Sequence, residues 1–243
     1  MKTIIKWILF CVLICLPISF FCFIDSTMLS IMFVCIYVVM LVTFLSVFEI
    51  GDRLISQLQG RIIIYKSKDK KAKNFRMGKN CIINYPETIA FGDNVSLGHN
   101  VEIFPLASFH TEQYTPKISI GNNVIIGDYN RFACKDTITI EDNVLFAAYV
   151  HITDHSHEYR DPSISIMEQG VFEKGPVKIG KGSWIGLRCS ILSGVSIGEH
   201  SVIGAGSIVT RDIPSYSIAV GAPAKVIKKY DFQKGTWVDV KEE

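Results

Sequence analysis

The sequence predicts an all-β solenoid built on a six-residue repeat, preceded by a two-helix transmembrane hairpin. Two observations predict it. An aliphatic or aromatic residue recurs at six-residue spacing through residues 75–229, usually followed by Gly and two turn-forming residues. Ahead of the repeat stand two almost uniformly apolar runs, residues 4–24 and 28–48, separated by Asp25, Ser26 and Thr27.

The repeat occupies most of the chain. Hexads begin at Phe91, Leu97, Ile120, Ile126, Phe132, Ile140, Phe146, Ile152, Ile179, Ile185, Ile191, Ile197, Ile203 and Val209, and Met77 and Ile83 begin a partial first coil. A period of six fits neither a 3.6-residue helix nor the strict alternation of a hairpin. It fits short flat strands joined by tight turns in which Gly and Asn accept positive φ. Three hexads close one triangular coil, so the aliphatic residues stack in rows inside a prism. Two interruptions, residues 107–117 and 157–176, leave the prism as loops before the frame resumes. Loops on a rigid scaffold are where function concentrates.

Each apolar run has about the 20 residues that a helix needs to cross a bilayer. Pro17 is tolerated as a kink in such a helix. A cleavable signal peptide is the rival reading, and the second run argues against it. Lys2 precedes the first run and Lys6 stands at its start; Arg53, Arg61, Lys66, Lys68, Lys70, Lys71 and Lys73 follow the second. The turn between them carries no Lys or Arg, so the positive-inside rule places both termini in the cytoplasm of a bacterial inner membrane. The organisation expected is therefore a membrane hairpin at 1–50, a basic linker at 51–74, the solenoid at 75–229 and a C-terminal tail at 230–243. The net charge of +2 gives no sign of a nucleic-acid partner. The seven cysteines form no CxxC pair and no zinc-spaced cluster, so they read as reduced, mostly buried hydrophobes and no metal is expected.

Residues 150–162, VHITDHSHEYRDP, bring His151, Asp154, His155, His157 and Arg160 to the end of a coil and the start of the longer loop. A neutral imidazole can take a proton near pH 7, which a weakly nucleophilic hydroxyl requires. Asp154, Glu158 or a backbone carbonyl could hold the other ring nitrogen. His99, His110 and His200 occupy turn or loop positions and read as solvated.

The hexads resemble those of the hexapeptide-repeat acyltransferases, whose fold is the left-handed parallel β-helix. In sugar acetyltransferases of the galactoside and maltose type, the catalytic histidine ends a hexad just before an extruded segment. His155 matches it, which implies a general base with Asp154 beside it. The resemblance further implies substrate contacts at Asn130, His157 and Arg160, with His157 the second candidate base. The C-terminal part, from Trp184 through Lys228, closely resembles the CoA-binding end of the same family. There the resemblance implies backbone bonds from Ala205, Gly206 and Ser207 to the pantetheine arm. It places Thr210 and Arg211 beside the adenine, Lys225 and Lys228 near the phosphates, and Trp184 near the reacting centre. Leu187 departs from the family pattern, which has Ser there.

The resemblance thus implies an acetyl-CoA-dependent O-acetyltransferase, assembled as a homotrimer with His155 facing the CoA groove of the next subunit. The acceptor expected is a sugar hydroxyl of a surface polysaccharide (O-antigen, capsule or exopolysaccharide) or of its lipid-linked precursor. N-acetylation of an amino sugar is a close variant. A serine-type acetyltransferase would carry a long helical N-terminal domain that is not seen. A γ-class carbonic anhydrase needs zinc histidines at a spacing that His151 and His155 do not have. A non-enzymatic scaffold would be indifferent to loss of His155.

Overall fold

The computed structural model describes residues 27–240, leaving out the side chains of 27–33, 43–49 and Arg53. The first apolar run, and with it half of the expected hairpin, lies outside the described residues. The chain divides into two compact units, Met1–Leu54 and Ile55–Glu243. One uninterrupted helix, Thr27–Lys66, occupies the described part of the second run and continues to Lys66. No proline stands between Pro17 and Pro86 to end it. Among the described residues, no helix is long and apolar enough to cross a membrane.

The expected linker is thus helical over its first two-thirds. In the second unit Ser56 and Ser67 are buried, and Ile63, Ile64, Phe75 and Met77 pack against the solenoid core. A Cβ on Gly60 would lie 3.3 Å from the Phe75 ring, so a small residue belongs there. The helix stops where Ser67 turns its hydroxyl onto the Ile64 carbonyl at 2.7 Å, and the Lys68 amide bonds Ile89 at 3.0 Å.

Beyond the helix, short strands form three parallel sheets. In the first, Met77, Leu97, Ile126, Phe146, Ile185, Ile203 and Ala219 stand in register on successive coils. In the second, Ile83, Ile103, Phe132, Ile152, Ile191 and Val209 do the same. In the third, Phe91, Ile120, Ile140, Ile179 and Ile197 complete the prism. Apart from Ile103 and Ala219, these ladders are the residues that begin the hexads and the partial first coil, and from Leu97 to Ala219 all are buried. Full burial of an Ile or Phe contributes about 1.5–3 kcal/mol, so the stacked rows dominate stability.

The six-residue step is strict at two corners and fails at the third. Steps such as Ile126 to Phe132 and Ile140 to Phe146 keep it, whereas the corner from the second sheet to the third absorbs every departure. Phe132 to Ile140 carries two extra residues, and both loops leave there. Stacked residues are accordingly 18 apart between Ser183 and Ser201 but 20 apart between Asn123 and Asn143. A coil of three equal hexads is therefore one case among several in this chain.

The strict corners are closed by residues at positive φ, among them Asn94, Asn123 and Asn143. Their amides form a ladder along the prism, Asn94 to Asn123 at 2.9 Å and Asn123 to Asn143 at 3.0 Å. Adjacent coils approach so closely that a Cβ on Gly98 would stand 2.3 Å from Asp128 Oδ1.

The first loop is a small hairpin, Ser108–Phe109 with Glu112–Gln113, and the third sheet resumes already at Lys117. The second is closed at its base by Ser156–His157 pairing antiparallel with Val171–Phe172, with a helical turn at Ile166–Gln169. The expected C-terminal tail is described as far as Val240. Ala224–Asp231 and Thr236–Asp239 add antiparallel strands to the edge of the first sheet. Cys134 and Cys189 are free and buried, in line with their reading as small hydrophobes.

Truncating one ladder residue leaves a cavity that the flat strands above and below cannot collapse into. Ile152→Ala should lower the unfolding free energy by about 2–5 kcal/mol, read from urea denaturation.

Candidate active site

The site grows from the one irregular corner. Strand His151–Thr153 turns Ile152 into the core, and the next residue, Asp154, reaches the corner with its side chain fully buried. The coil below passes this point with its two extra residues and presents Cys134, Lys135 and Asp136. The Lys135 amide donates to Asp154 Oδ1 at 2.7 Å and the Asp136 amide to Oδ2 at 2.8 Å. The Cys134 thiol donates to Oδ2 at 3.3 Å. The fourth donor is His155, with Nδ1 at 2.9 Å from Oδ1.

Burial pushes the Asp154 carboxyl up, but the bond from His155, the two amides and the thiol together hold it below the usual carboxylate range. It is ionised near pH 7 and can only accept, so Nδ1 of His155 carries the hydrogen. In the neutral ring Nε2 then carries no hydrogen and can take a proton. The main chain is held as well: Thr153 Oγ1 donates to the His155 carbonyl at 2.8 Å, and Ser193 Oγ donates to the Asp154 carbonyl. The His155 side chain is 15% exposed, sheltered yet reachable. Of the three groups the sequence left open for orienting His155, the structure selects Asp154. Glu158 instead pairs with Arg160, which draws its carboxyl down to about 2.

The other expected acceptor residues fare unequally. His157 is exposed on the loop strand, its ring 5.5 Å from that of Phe109 in the first loop. Arg160 lies 5.2 Å over the Phe172 ring while paired with Glu158. Asn130 is not available to a substrate. It is 1% exposed, its amide nitrogen donates to the carbonyls of Gly127 and Ala147 at 2.8 and 2.9 Å, and its oxygen accepts from Val150 at 2.8 Å. It closes a corner of the prism from within. His110, expected to be solvated, has Nε2 2.7 Å from the Met167 carbonyl. Burial, then the charges of Arg131 and His155, push the His151 imidazole down.

On the side expected to hold CoA, Trp184 projects from the first sheet between Leu145 and Val202 and is 49% exposed. Ala205 and Gly206 are exposed at the following corner, Gly206 at φ 73° with its amide on the Leu187 carbonyl. Ser207 is removed from the expected contact set. Its side chain is buried, its hydroxyl donates to Gly204 at 2.6 Å and accepts from Gly221 at 3.1 Å, and its own amide and carbonyl are bonded within the coil. Thr210 and Arg211 are exposed at the irregular corner, two coils beyond His155. Lys225 is exposed, and Lys228 Nζ lies 3.4 Å from Asp239. Trp184 and Ala205 thus occupy a different sheet and corner from His155. Among the described residues, no group of three or more His, Cys, Asp and Glu is arranged to hold a metal.

The arc Cys134, Lys135 and Asp136 was missed by sequence reasoning. The signal was present as the two residues by which Phe132 and Ile140 overshoot the six-residue frame.

The Asp154 carboxyl titrates lower in the folded protein than its unfolded value of about 3.9, so its charge favours the fold above that pH. That contribution disappears as pH falls through the folded value. Asp154→Asn should therefore be less stable than the parent at neutral pH and lose part of the acid-side slope, measured by denaturation across about pH 2–7. Asn130→Ala should cost about 1–3 kcal/mol of stability while the folded fraction keeps its activity.

Residues 176–211 match the family model described as the hexapeptide repeat of succinyl-transferase. WbbJ of Escherichia coli K12, named as an O-acetyl transferase of lipopolysaccharide biosynthesis, is 32% identical over 163 residues, covering 65% of this chain and 80% of WbbJ. Galactoside O-acetyltransferase of the same organism is 35% identical over 63% of this chain and 63% of its own. An acetyltransferase of Mycobacterium tuberculosis is 42% identical over 46% of this chain, which spans 37% of that relative's length. The fold matches a variant of AntD, an N-acyltransferase from Bacillus cereus in complex with dTDP and coenzyme A. That likeness has a TM-score of 0.56 and 22% identity, over 67% of this chain and 85% of AntD. With three parallel sheets raised on six-residue steps and a WbbJ relative matched over most of its length, the chain belongs to the hexapeptide-repeat acetyltransferase family.

Proposed function

We propose that this protein transfers an acetyl group from acetyl-CoA to a sugar hydroxyl, of a surface polysaccharide or of its lipid-linked precursor. The observation that carries the reading is the buried Asp154 carboxylate fixing His155 at the foot of an extruded loop. Similarity to WbbJ supports a glycan acceptor and an O-linked product.

Nε2 of His155 takes the hydroxyl proton as the oxygen attacks the thioester carbonyl. The carbon–sulfur bond then breaks, and the imidazolium returns the proton to the departing CoA thiolate. The ionised Asp154 stabilises the imidazolium between these steps. A base so placed contributes about 10²–10⁴-fold. His157 and Arg160 stand on the loop that would face the acceptor.

Acetyl-CoA would lie along the C-terminal coils. Ala205 and Gly206 present exposed backbone there, Trp184 flanks the reacting end, and Thr210, Arg211, Lys225 and Lys228 serve the adenine and phosphates. Because Trp184 and Ala205 sit on another corner from His155, the site is best completed by a neighbouring copy, which supports a homotrimer. The apolar runs 4–24 and 28–48 support a membrane hairpin with the solenoid on the cytoplasmic side, where acetyl-CoA is made and lipid-linked glycans grow.

The test is His155→Ala. Thiol release from acetyl-CoA in the presence of acceptor should fall by about 10²–10⁴-fold while calorimetry finds CoA binding unchanged. Transfer at the parental rate would overturn the reading. Mass spectrometry of surface glycans, with and without the protein, should show loss of acetyl mass; mild alkali removes an ester and leaves an amide, separating O- from N-acetylation.

A further inference from the structure

The Lys135 side chain has no part in the chemistry described above, yet it touches both loops. Its side chain is only 12% exposed. The ammonium is ion-paired with Glu173 and donates to the Val171 carbonyl at 3.3 Å, both at the returning end of the second loop. It also lies 4.7 Å over the ring of Tyr114, at the returning end of the first loop, where the Tyr114 amide closes onto Ala107 at 2.8 Å. Its own backbone amide is one of the donors to Asp154.

A nearly buried ammonium needs partners, and these three supply a carboxylate, a carbonyl and an aromatic face. Farther out the loops meet through the Phe109–His157 ring contact and the His110 bond to Met167. Lys135 is therefore the junction at the root of both loops, and it stands within the arc that cradles the carboxylate. We propose that Lys135 is a positioning residue, a strut that locks the two loops into one acceptor-facing wall and sets that wall against His155. Its main chain belongs to the dyad and its side chain to the loops, so the two roles separate by mutation. The consequence for acceptor binding rests on the acetyl-transfer reading; the strut itself does not.

Lys135→Met keeps the stem and the backbone amide and removes the charge. Glu173→Gln removes the opposite charge. In the full chain, hydrogen exchange of residues 108–113 and 156–172 should speed up in both variants, and Lys135→Arg should restore part of the protection. Acceptor KM should rise about tenfold in both, within the usual range of coupling between linked sites. KM for acetyl-CoA and the acid limb of the pH profile should stay as in the parent, because the Asp154 cradle is intact. The double variant should cost little more than either single one. Unchanged loop exchange in both variants would sink the proposal, whatever the activity. A fall in kcat with unchanged acceptor KM would also sink it, placing Lys135 on the dyad instead. If the parent acetylates no sugar, the exchange measurement still decides the strut and the failure belongs to the functional reading alone.

Discussion

A carboxylate without exposed surface stays ionised only when hydrogen-bond donors replace the water it has lost. Asp154 meets that condition through two amides and a thiol from one arc of the neighbouring coil, and through His155 itself. The orientation of His155, its tautomer and the availability of Nε2 all depend on this one solvation problem. Without the arc, the carboxylate would lose three of its donors and the histidine its fixed anchor.

The arc exists because of where the solenoid relaxes its period. Two corners keep six residues: one carries stacked Asn amides, and at both a glycine has a coil lying directly against it. Extra residues at those corners would break the ladders of buried side chains. The third corner absorbs what the other two refuse, so added residues, a hairpin and a long loop all leave from it. Rigidity on two edges is what allows one edge to carry an irregular, functional backbone.

The fold was legible in the sequence because a six-residue period is a local property: each hexad names its own inward residue and its own turn. His155 was legible for a related reason, since it ends a hexad just before the frame is lost. Much of the rest was not. Asn130 looked like a substrate ligand from the family resemblance, whereas three-fold hydrogen bonding inside the prism consumes its amide. Ser207 looked like part of a CoA wall through its backbone, yet its amide bonds Gly204 and its carbonyl accepts from Ser190 within the solenoid. Side-chain direction at a corner depends on coils one turn away, and a linear pattern does not report them.

By itself the sequence determined the repeat, the identity of the ladder residues, the two loop departures and the histidine at the second. Each of these rests on local periodicity and its interruption. Only the tertiary structure decided which group orients His155, that Lys135 joins the two loops, and that Trp184 and Ala205 stand on a different corner from His155. Those facts depend on stacking, which brings together residues some twenty positions apart through parallel strand pairing that no single coil encodes.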